Sequence, residues 1–444
     1  MRLLALVSTL TVSAALTASA QDTRVPPMQN APTFSRDVAP ILYSKCVSCH
    51  RPGEVAPMSL ITYKDARPWA RAIREKVIAR EMPPWFADPA HGAFRNDRSL
   101  TQAQVDTIVK WVDGGARQGD EKLLPALPAL ATGWQIGTPD IVFEMATDFR
   151  IPADGTVDYQ YFEVPTNFKE DRWISAGEVR AGNPEHVHHI IVSVIEPPGN
   201  NRPTVMSVRA IADGTDAAAR APRQLTDAQR AQFAAAARRA NAVSLVNWAV
   251  GEDAPVYPAG LAKRIPAGST LQFQVHYTTN GAAATDRSKI GLIFTKEPPK
   301  NEIRTALIAN AQFAIPAGAA NHQIEAEATF NDNVKVWTMH PHMHLRGKDM
   351  TYTAIYPDGR QEVVLRVPKY DFGWQTDYWL AQPLSLPKGS KLHVTAHFDN
   401  STANRFNPDP STTVRWGDQT WEEMMIGYIT YTVDSSNAAT VAQR

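Results

Sequence analysis

The side chains best able to do chemistry in this chain are its thiols, thioethers and imidazoles, and they are unevenly placed. Its two cysteines stand together in Cys46-Val47-Ser48-Cys49-His50. C-x-x-C-H is the spacing at which two thiols add to the vinyl groups of a haem while the adjoining histidine becomes an axial iron ligand. Other uses of the motif want a different setting: a thioredoxin-type redox pair wants a βαβ unit, and a structural zinc site wants a second cysteine pair. Covalently bound haem c is therefore expected on Cys46, Cys49 and His50. Met58 and Met82 are the candidates for the opposite iron ligand, with Met82 favoured because Met82-Pro83-Pro84 closes a helix and presents the thioether rigidly. A thioether in that place raises the iron potential.

Most of the other histidines gather in two places: His186, His188 and His189, then His340, His342 and His344. Imidazole is the commonest metal ligand, and two tight groups are hard to read as chance. Residues two apart on a strand share a face, so His342 and His344 can clasp one ion, with His340 on the same side. His188 and His189 point oppositely on a regular strand. They can share a metal only at a strand end or bulge, and His186 with His188 is the alternative pair. His91, His322, His393 and His397 stand alone and read as satisfied core or surface residues. A blue-copper centre needs a thiolate, and haem takes both cysteines. Zinc, copper, iron and nickel all suit imidazole, but a haem on the same chain favours a redox-active ion.

The elements that must position these groups fall into two textures, and the expected fold is multidomain. Residues 33–120 read as a small all-α, cytochrome c-like domain. Apolar spacing predicts helices over 65–80 and over 102–112, the second capped by Thr101 and stopped at Gly114-Gly115. Residues 121–134 form a Pro-rich linker. Beyond it, alternating runs at 159–164, 190–195, 271–277, 392–398 and 429–433 lie between Gly, Pro and Asn turns, which is the pattern of antiparallel β-sandwiches. That length exceeds one usual sandwich. A split near Lys300 gives all-β domains over 135–300 and 301–434, each with one histidine group. Residues 217–242, rich in Ala, Arg and Gln behind the N-cap Thr226, read as a helix inserted on the β scaffold.

Composition narrows the function classes. The 444 residues carry 45 Lys plus Arg against 45 Asp plus Glu, so no net positive field attracts nucleic acid or anionic membrane. Arg2, an apolar run over 3–16 and Ala18-Ser19-Ala20 before Gln21 have the order of a secretory signal peptide over 1–20, cleaved after Ala20. No later run approaches the roughly 18 apolar residues of a membrane span. A periplasmic or secreted protein without a membrane anchor is expected.

With those residues in view, a resemblance emerges. Val187-His188-His189-Ile190-Ile191, Leu271-Gln272-Phe273-Gln274-Val275-His276-Tyr277, His342-Met343-His344-Leu345-Arg346-Gly347-Lys348 and Glu422-Glu423-Met424-Met425 resemble, in order, motifs of the copper type II ascorbate-dependent monooxygenases, relatives of peptidylglycine α-hydroxylating and dopamine β-monooxygenases. The resemblance spans about residues 140–434. It implies two jelly-roll-like sandwiches, an electron-transfer copper on His188, His189 and His276, and an oxygen-activating copper on His342, His344 and Met424, with Tyr428 retained beside it. The amidating members place an Arg two before the first His of the His-x-His pair and an Asn two after the Met. Here those places hold His340 and Ile426, so a peptidyl-glycine substrate is not expected. The animal members also carry several disulfides, whereas here haem takes both cysteines and stability must come from packing.

The expected function is therefore an exported haem- and copper-dependent monooxygenase. It hydroxylates a C–H bond of a small molecule with O2, taking electrons relayed from the cytochrome domain, with ascorbate or a periplasmic electron donor as the reductant. The alternative is a non-catalytic copper-binding or electron-transfer protein. A zinc hydrolase leaves the haem without a role.

Overall fold

Helices among the described residues all precede residue 124, and strands follow from residue 141. The computed structural model describes residues 31–54, 56–130, 133–199, 204–215, 242–249 and 251–434. The expected signal peptide at 1–20 lies outside them. So does the helix expected over 217–242, save its last residue, which opens the strand Ala242–Ala249.

The helical region is built from Phe34–Val38, Ala39–Lys45, Tyr63–Ala66, Ala70–Ile78 and Gln102–Asp113. The stretch expected as one helix over 65–80 is divided by the turn Arg67–Trp69, where Pro68 has no N–H to give to the ladder. Gln102–Asp113 begins at a capping box in which Thr101 and Gln104 satisfy each other's backbone amides. Its buried face, Val105, Ile108 and Trp111, packs on Phe34, Leu42, Val47 and Ile73 to make a separate small core. Trp111 is wholly buried and donates its indole N–H to the carbonyl of Arg117 at 3.0 Å.

The remainder is mostly β-sheet with two cores. Strands Gln160–Pro165, Thr270–Tyr277, Val187–Ile195 and Ala242–Ala249 form one sheet in that order. Its inward residues, such as Ile190, Val192 and Phe273, pack on Ile174, Ile290 and Leu292 of an eight-stranded sheet. The other half of that same sheet holds Asn301–Ala309, Ile426–Val433, Val334–His342 and Tyr378–Leu386. It covers a five-stranded sheet whose strand Lys391–Phe398 alternates buried and part-exposed side chains at the period of two expected of a one-faced strand. The halves join through a short parallel pairing, Asn301 with Leu261 and Glu302 with Ala262. Strand Met206–Ile211 precedes that junction in sequence but pairs with His322–Phe330 in the five-stranded sheet.

The segment between the last two long helices leaves the helical core and fastens to the second sandwich. Trp85, Phe86 and Phe94 pack on the core there. Arg95 N donates to the carbonyl of Trp379 at 2.9 Å, Ala381 N donates to that of Ala93 at 2.8 Å, and Asn96 both donates to Asp377 O and accepts from Trp379 N. The edge strand Tyr378–Leu386 is thus covered in part by the N-terminal region, which removes an exposed row of unpaired backbone groups.

Candidate metal centres

Three imidazoles converge at one end of the four-stranded sheet. Ring centroids lie 5.3 Å apart for His188 and His189, 5.1 Å for His188 and His276, and 5.1 Å for His189 and His276. Two adjacent residues reach one point because the register between Val187–Ile195 and Thr270–Tyr277 shifts between Val187 and His189, leaving His188 as the extra residue of a bulge. His189 sits directly opposite His276 across the ladder. His188 Nδ1 and His189 Nδ1 are 3.1 Å apart, and His276 Nδ1 is buried with no hydrogen-bond partner. A buried, unpaired ring nitrogen beside two others is a donor set waiting for a cation. The part-buried ring of Tyr159 closes the group, 4.9 Å from His276.

A second pair forms where Val334–His342 ends. His342 is its last residue and His344 follows in the turn, with ring centroids 5.4 Å apart. The Gln375 side-chain oxygen contacts His342 Nδ1, and the Glu422 carbonyl lies 3.2 Å from His344 Nδ1. Outer contacts of this kind orient metal-bound imidazoles. Among the described residues no third His, Cys, Asp or Glu closes on this pair. The ladder sets Ile426 opposite His342, so Met424 stands just upstream of that pairing, part-buried, while Met425 turns fully into the core. Glu423 ties the two segments: its fully buried carboxyl accepts from His344 N at 2.8 Å and Arg346 N at 2.6 Å. Arg346, also buried, is held by Asn400 and the carbonyl of Trp421.

The two groups face each other across one aromatic ring. Phe372 stacks on His188 at 5.0 Å and 16°, and lies 6.1 Å from His276 and 6.0 Å from His344. The centres are near enough for charge on His342 or His344 to disfavour charge on His189. Burial sets the protonation of both. It pushes His188 and His342 down to about 4, His276 and His344 to about 3, and His189 well below its ordinary value. All five are neutral at pH 7, the state in which an imidazole binds a metal.

Five of the remaining histidines, His186, His340, His322, His393 and His397, are held by the protein itself. His186 has Asn183 Oδ1 3.1 Å from Nδ1 and the Ala282 carbonyl 3.2 Å from Nε2. His340 turns to Asp377 at 3.0 Å, and its ring meets Tyr428 edge-on at 5.9 Å. Tyr428 also lies 6.0 Å from His342, and burial pushes its phenol up to about 12. His322, His393 and His397 each pair with a carboxylate, Asp213, Glu325 and Asp349. His91 lies in the turn after Asp88.

Cys46 and Cys49 are free thiols flanking the end of Ala39–Lys45. His50 Nδ1 lies 3.2 Å from the Met58 carbonyl, a contact that orients its ring. Met58 packs on the helical core beside Cys46. Met82 lies beyond the end of Ala70–Ile78 and is not part of that packing. Cys49 lines a cavity of about 260 Å³ between the helical region and the first sandwich, with Arg51, Arg98, Arg180, Leu130 and Trp248 on its walls. Two unpaired thiols and an oriented imidazole are the donors a covalently held haem would take, while Cys46, His50, Met58 and Met82 do not line this cavity.

Phe372, Gln375, Glu423 and Tyr159 were not singled out by spacing. Glu423 alone carried a signal, an acid beside a Met-Met pair entering a core strand. Phe372 and Gln375 sit in a connection with no periodic pattern.

Residues 304–442 match the family model described as the copper type II ascorbate-dependent monooxygenase C-terminal domain. The matched stretch contains His342, His344, Met424 and Tyr428, and it lies outside the His188, His189 and His276 group. No curated protein matches the chain. Among solved structures, PNGF-II is similar at TM-score 0.26 and 7% identity, over 66% of this chain and 65% of that one. The infectious bursal disease virus Gx strain follows at 0.19 and 10%, over 67% and 73%, and allantoicase at 0.16 and 9%, over 57% and 79%. Scores of this size carry no conclusion about fold or function.

Proposed function

We propose that this protein is a copper-dependent monooxygenase that places one oxygen atom of O2 in a C–H bond of a small molecule, with its helical region acting as a c-type cytochrome. The observation that carries the reading is the convergence of three neutral imidazoles opposite a second imidazole pair that falls inside the matched C-terminal domain. The donors fit copper. Imidazoles with a thioether suit the cuprous state, and three imidazoles accommodate both oxidation states. His188, His189 and His276 would hold one ion, and His342, His344 and Met424 the other. Bound there, the coppers supply the two electrons that, with two protons, convert O2 and a C–H bond into an alcohol and water.

The chain's own residues do the rest. Burial keeps the five rings unprotonated, Gln375 and Glu422 orient the second pair, and Glu423 fixes its turn. Phe372, part-buried, packs against rings of both centres. Haem c on Cys46, Cys49 and His50 would supply a one-electron store, with Met82 or Met58 as the second ligand and ascorbate or a periplasmic donor as the reductant. Export by the segment at 1–20 would place the protein in the periplasm or outside the cell. Because Asp377 engages His340, no free cation stands there to anchor a substrate carboxylate, which disfavours peptidyl-glycine.

One observation favours the second reading, a copper-binding electron-transfer protein. The void lined by His189, His340, His342 and Tyr428 is about 20 Å³, room for about one water, so that side of His342 offers no substrate pocket. Copper analysis with EPR on wild type and Met424→Ala, followed by ¹⁸O2 turnover over candidate substrates, separates the two. Monooxygenase action gives two coppers, a changed spectrum in the variant and label in the organic product. Label in water alone supports the second reading, and absence of stoichiometric copper removes both.

A further inference from the structure

Another set of metal-type donors lies outside the two histidine centres. Glu252, His340 and Asp377 each offer one donor atom, all within 4.8 Å of one another. They come from different parts of the fold. Glu252 lies in the connection after Ala242–Ala249 of the first sandwich, His340 in Val334–His342 of the second, and Asp377 directly before Tyr378–Leu386. His340 Nδ1 is 3.0 Å from Asp377 Oδ1, and Asp377 N donates to Glu252 Oε1 at 3.3 Å. Glu252 Oε2 is sealed from solvent and has no partner, although the residue as a whole is only part-buried. A carboxylate oxygen in that state costs free energy unless a proton or a cation meets it. The nearby Lys263 ammonium does not meet it, being donated to the carbonyls of Ser244 and Leu245.

The size of the space decides which cation fits. On one side the void lined by Glu252, Asp377, Lys263 and Tyr428 is about 30 Å³; on the other, the void lined by Glu252, His340 and His342 is about 20 Å³. Each holds one water or one ion, and neither admits an organic ammonium group with its carbon chain. Two carboxylates and an imidazole are hard and borderline donors, suited to a divalent ion such as zinc and poorly suited to cuprous copper.

We propose that Glu252, His340 and Asp377 form a third metal seat, for a divalent non-copper ion, that ties the first sandwich to the second beside the His342 centre. Such a cross-link does the work that disulfides do in many small domains, in a chain whose two cysteines lie together in one short motif. The seat does not depend on which ion the histidine centres hold.

The test uses the full-length protein, first saturated with copper and then equilibrated with zinc, with both metals counted by emission spectroscopy. Wild type should keep one zinc per chain that both Glu252→Gln and Asp377→Asn lose, while their copper content stays at the wild-type value. Zinc should also raise the melting temperature of wild type by several degrees and leave that of Glu252→Gln unmoved. Equal zinc content in wild type and both variants overturns the seat, as does wild type that keeps none. A protein that binds no copper overturns the monooxygenase reading instead, and the zinc difference between wild type and Glu252→Gln still reads this site.

Discussion

His189, His276, His342 and His344 are buried and His188 half-buried as neutral bases, and that gives metal-free protein a definite dependence on pH. Unfolded imidazoles titrate near about 6.5, whereas the folded ones lie at about 4 for His188 and His342 and about 3 for His276 and His344. Folded values below unfolded ones mean that the unfolded chain binds more protons, so this stability is present above about pH 6.5 and is lost as pH falls toward the folded values. Each group contributes up to roughly 1.4 kcal/mol per pH unit across that window. Glu252 and Glu423, both pushed by burial up to about 8, act in the opposite sense. Their contribution is complete below the ordinary carboxylate range and declines as pH rises toward 8. Histidines outnumber these acids, so melting temperature of the metal-free protein should peak near pH 6.5 and fall more steeply on the acid side. A melting temperature that stays level from pH 6.5 down to 4.5 would show that the rings are not buried as neutral bases.

At the scale of elements, the connection running from Tyr370 into Tyr378–Leu386 reaches both imidazoles of the second centre and the neighbouring His340. Tyr370 OH donates to the Met343 carbonyl at 2.7 Å, Phe372 lies between the ring groups, Gln375 contacts His342 and Asp377 contacts His340. Gln375→Leu keeps nearly the same volume and removes only the acceptor at His342 Nδ1. Loss of such an outer contact typically costs about 10- to 100-fold in metal affinity. Competition with a cuprous chelator should show that loss at the His342 and His344 site and none at the three-histidine site; equal loss at both would mean the connection props up the fold and not one ring. This connection was the least legible part of the sequence. The bulge at His188 was legible as a condition, because adjacent histidines can meet only where the strand alternation breaks, and the ladder shifts there. The alternating runs were legible because burial on one face writes a period of two into the sequence. Phe372 and Gln375 act through a long-range approach that no local spacing records, and strand Met206–Ile211 joins the later sheet for the same reason.

Across the whole molecule, the N-terminal region is fastened to the sandwiches at points that also bear on the metal centres. Asn96 satisfies both the Asp377 carbonyl and the Trp379 amide, Arg95 lies over the Trp379 ring at 3.9 Å, and Phe94 packs edge-on against Tyr378 at 5.6 Å. Arg98 reaches the first sandwich, donating to the Gly251 carbonyl and pairing with Asp253 at 2.6 Å. Exposed ion pairs contribute little, but backbone groups left unpaired at a partly buried junction cost roughly 1–3 kcal/mol each. Asn96→Ala removes the partner of two such groups at once. The helical core is the smallest of the three, so it should melt with the sandwiches while this junction holds. Calorimetry of wild type should therefore give one endotherm, and Asn96→Ala combined with Arg98→Ala should split it, the helical region melting first. Two separated endotherms already in wild type would mean that the junction couples nothing, and the helical region would then be a tethered unit and not a fixed one.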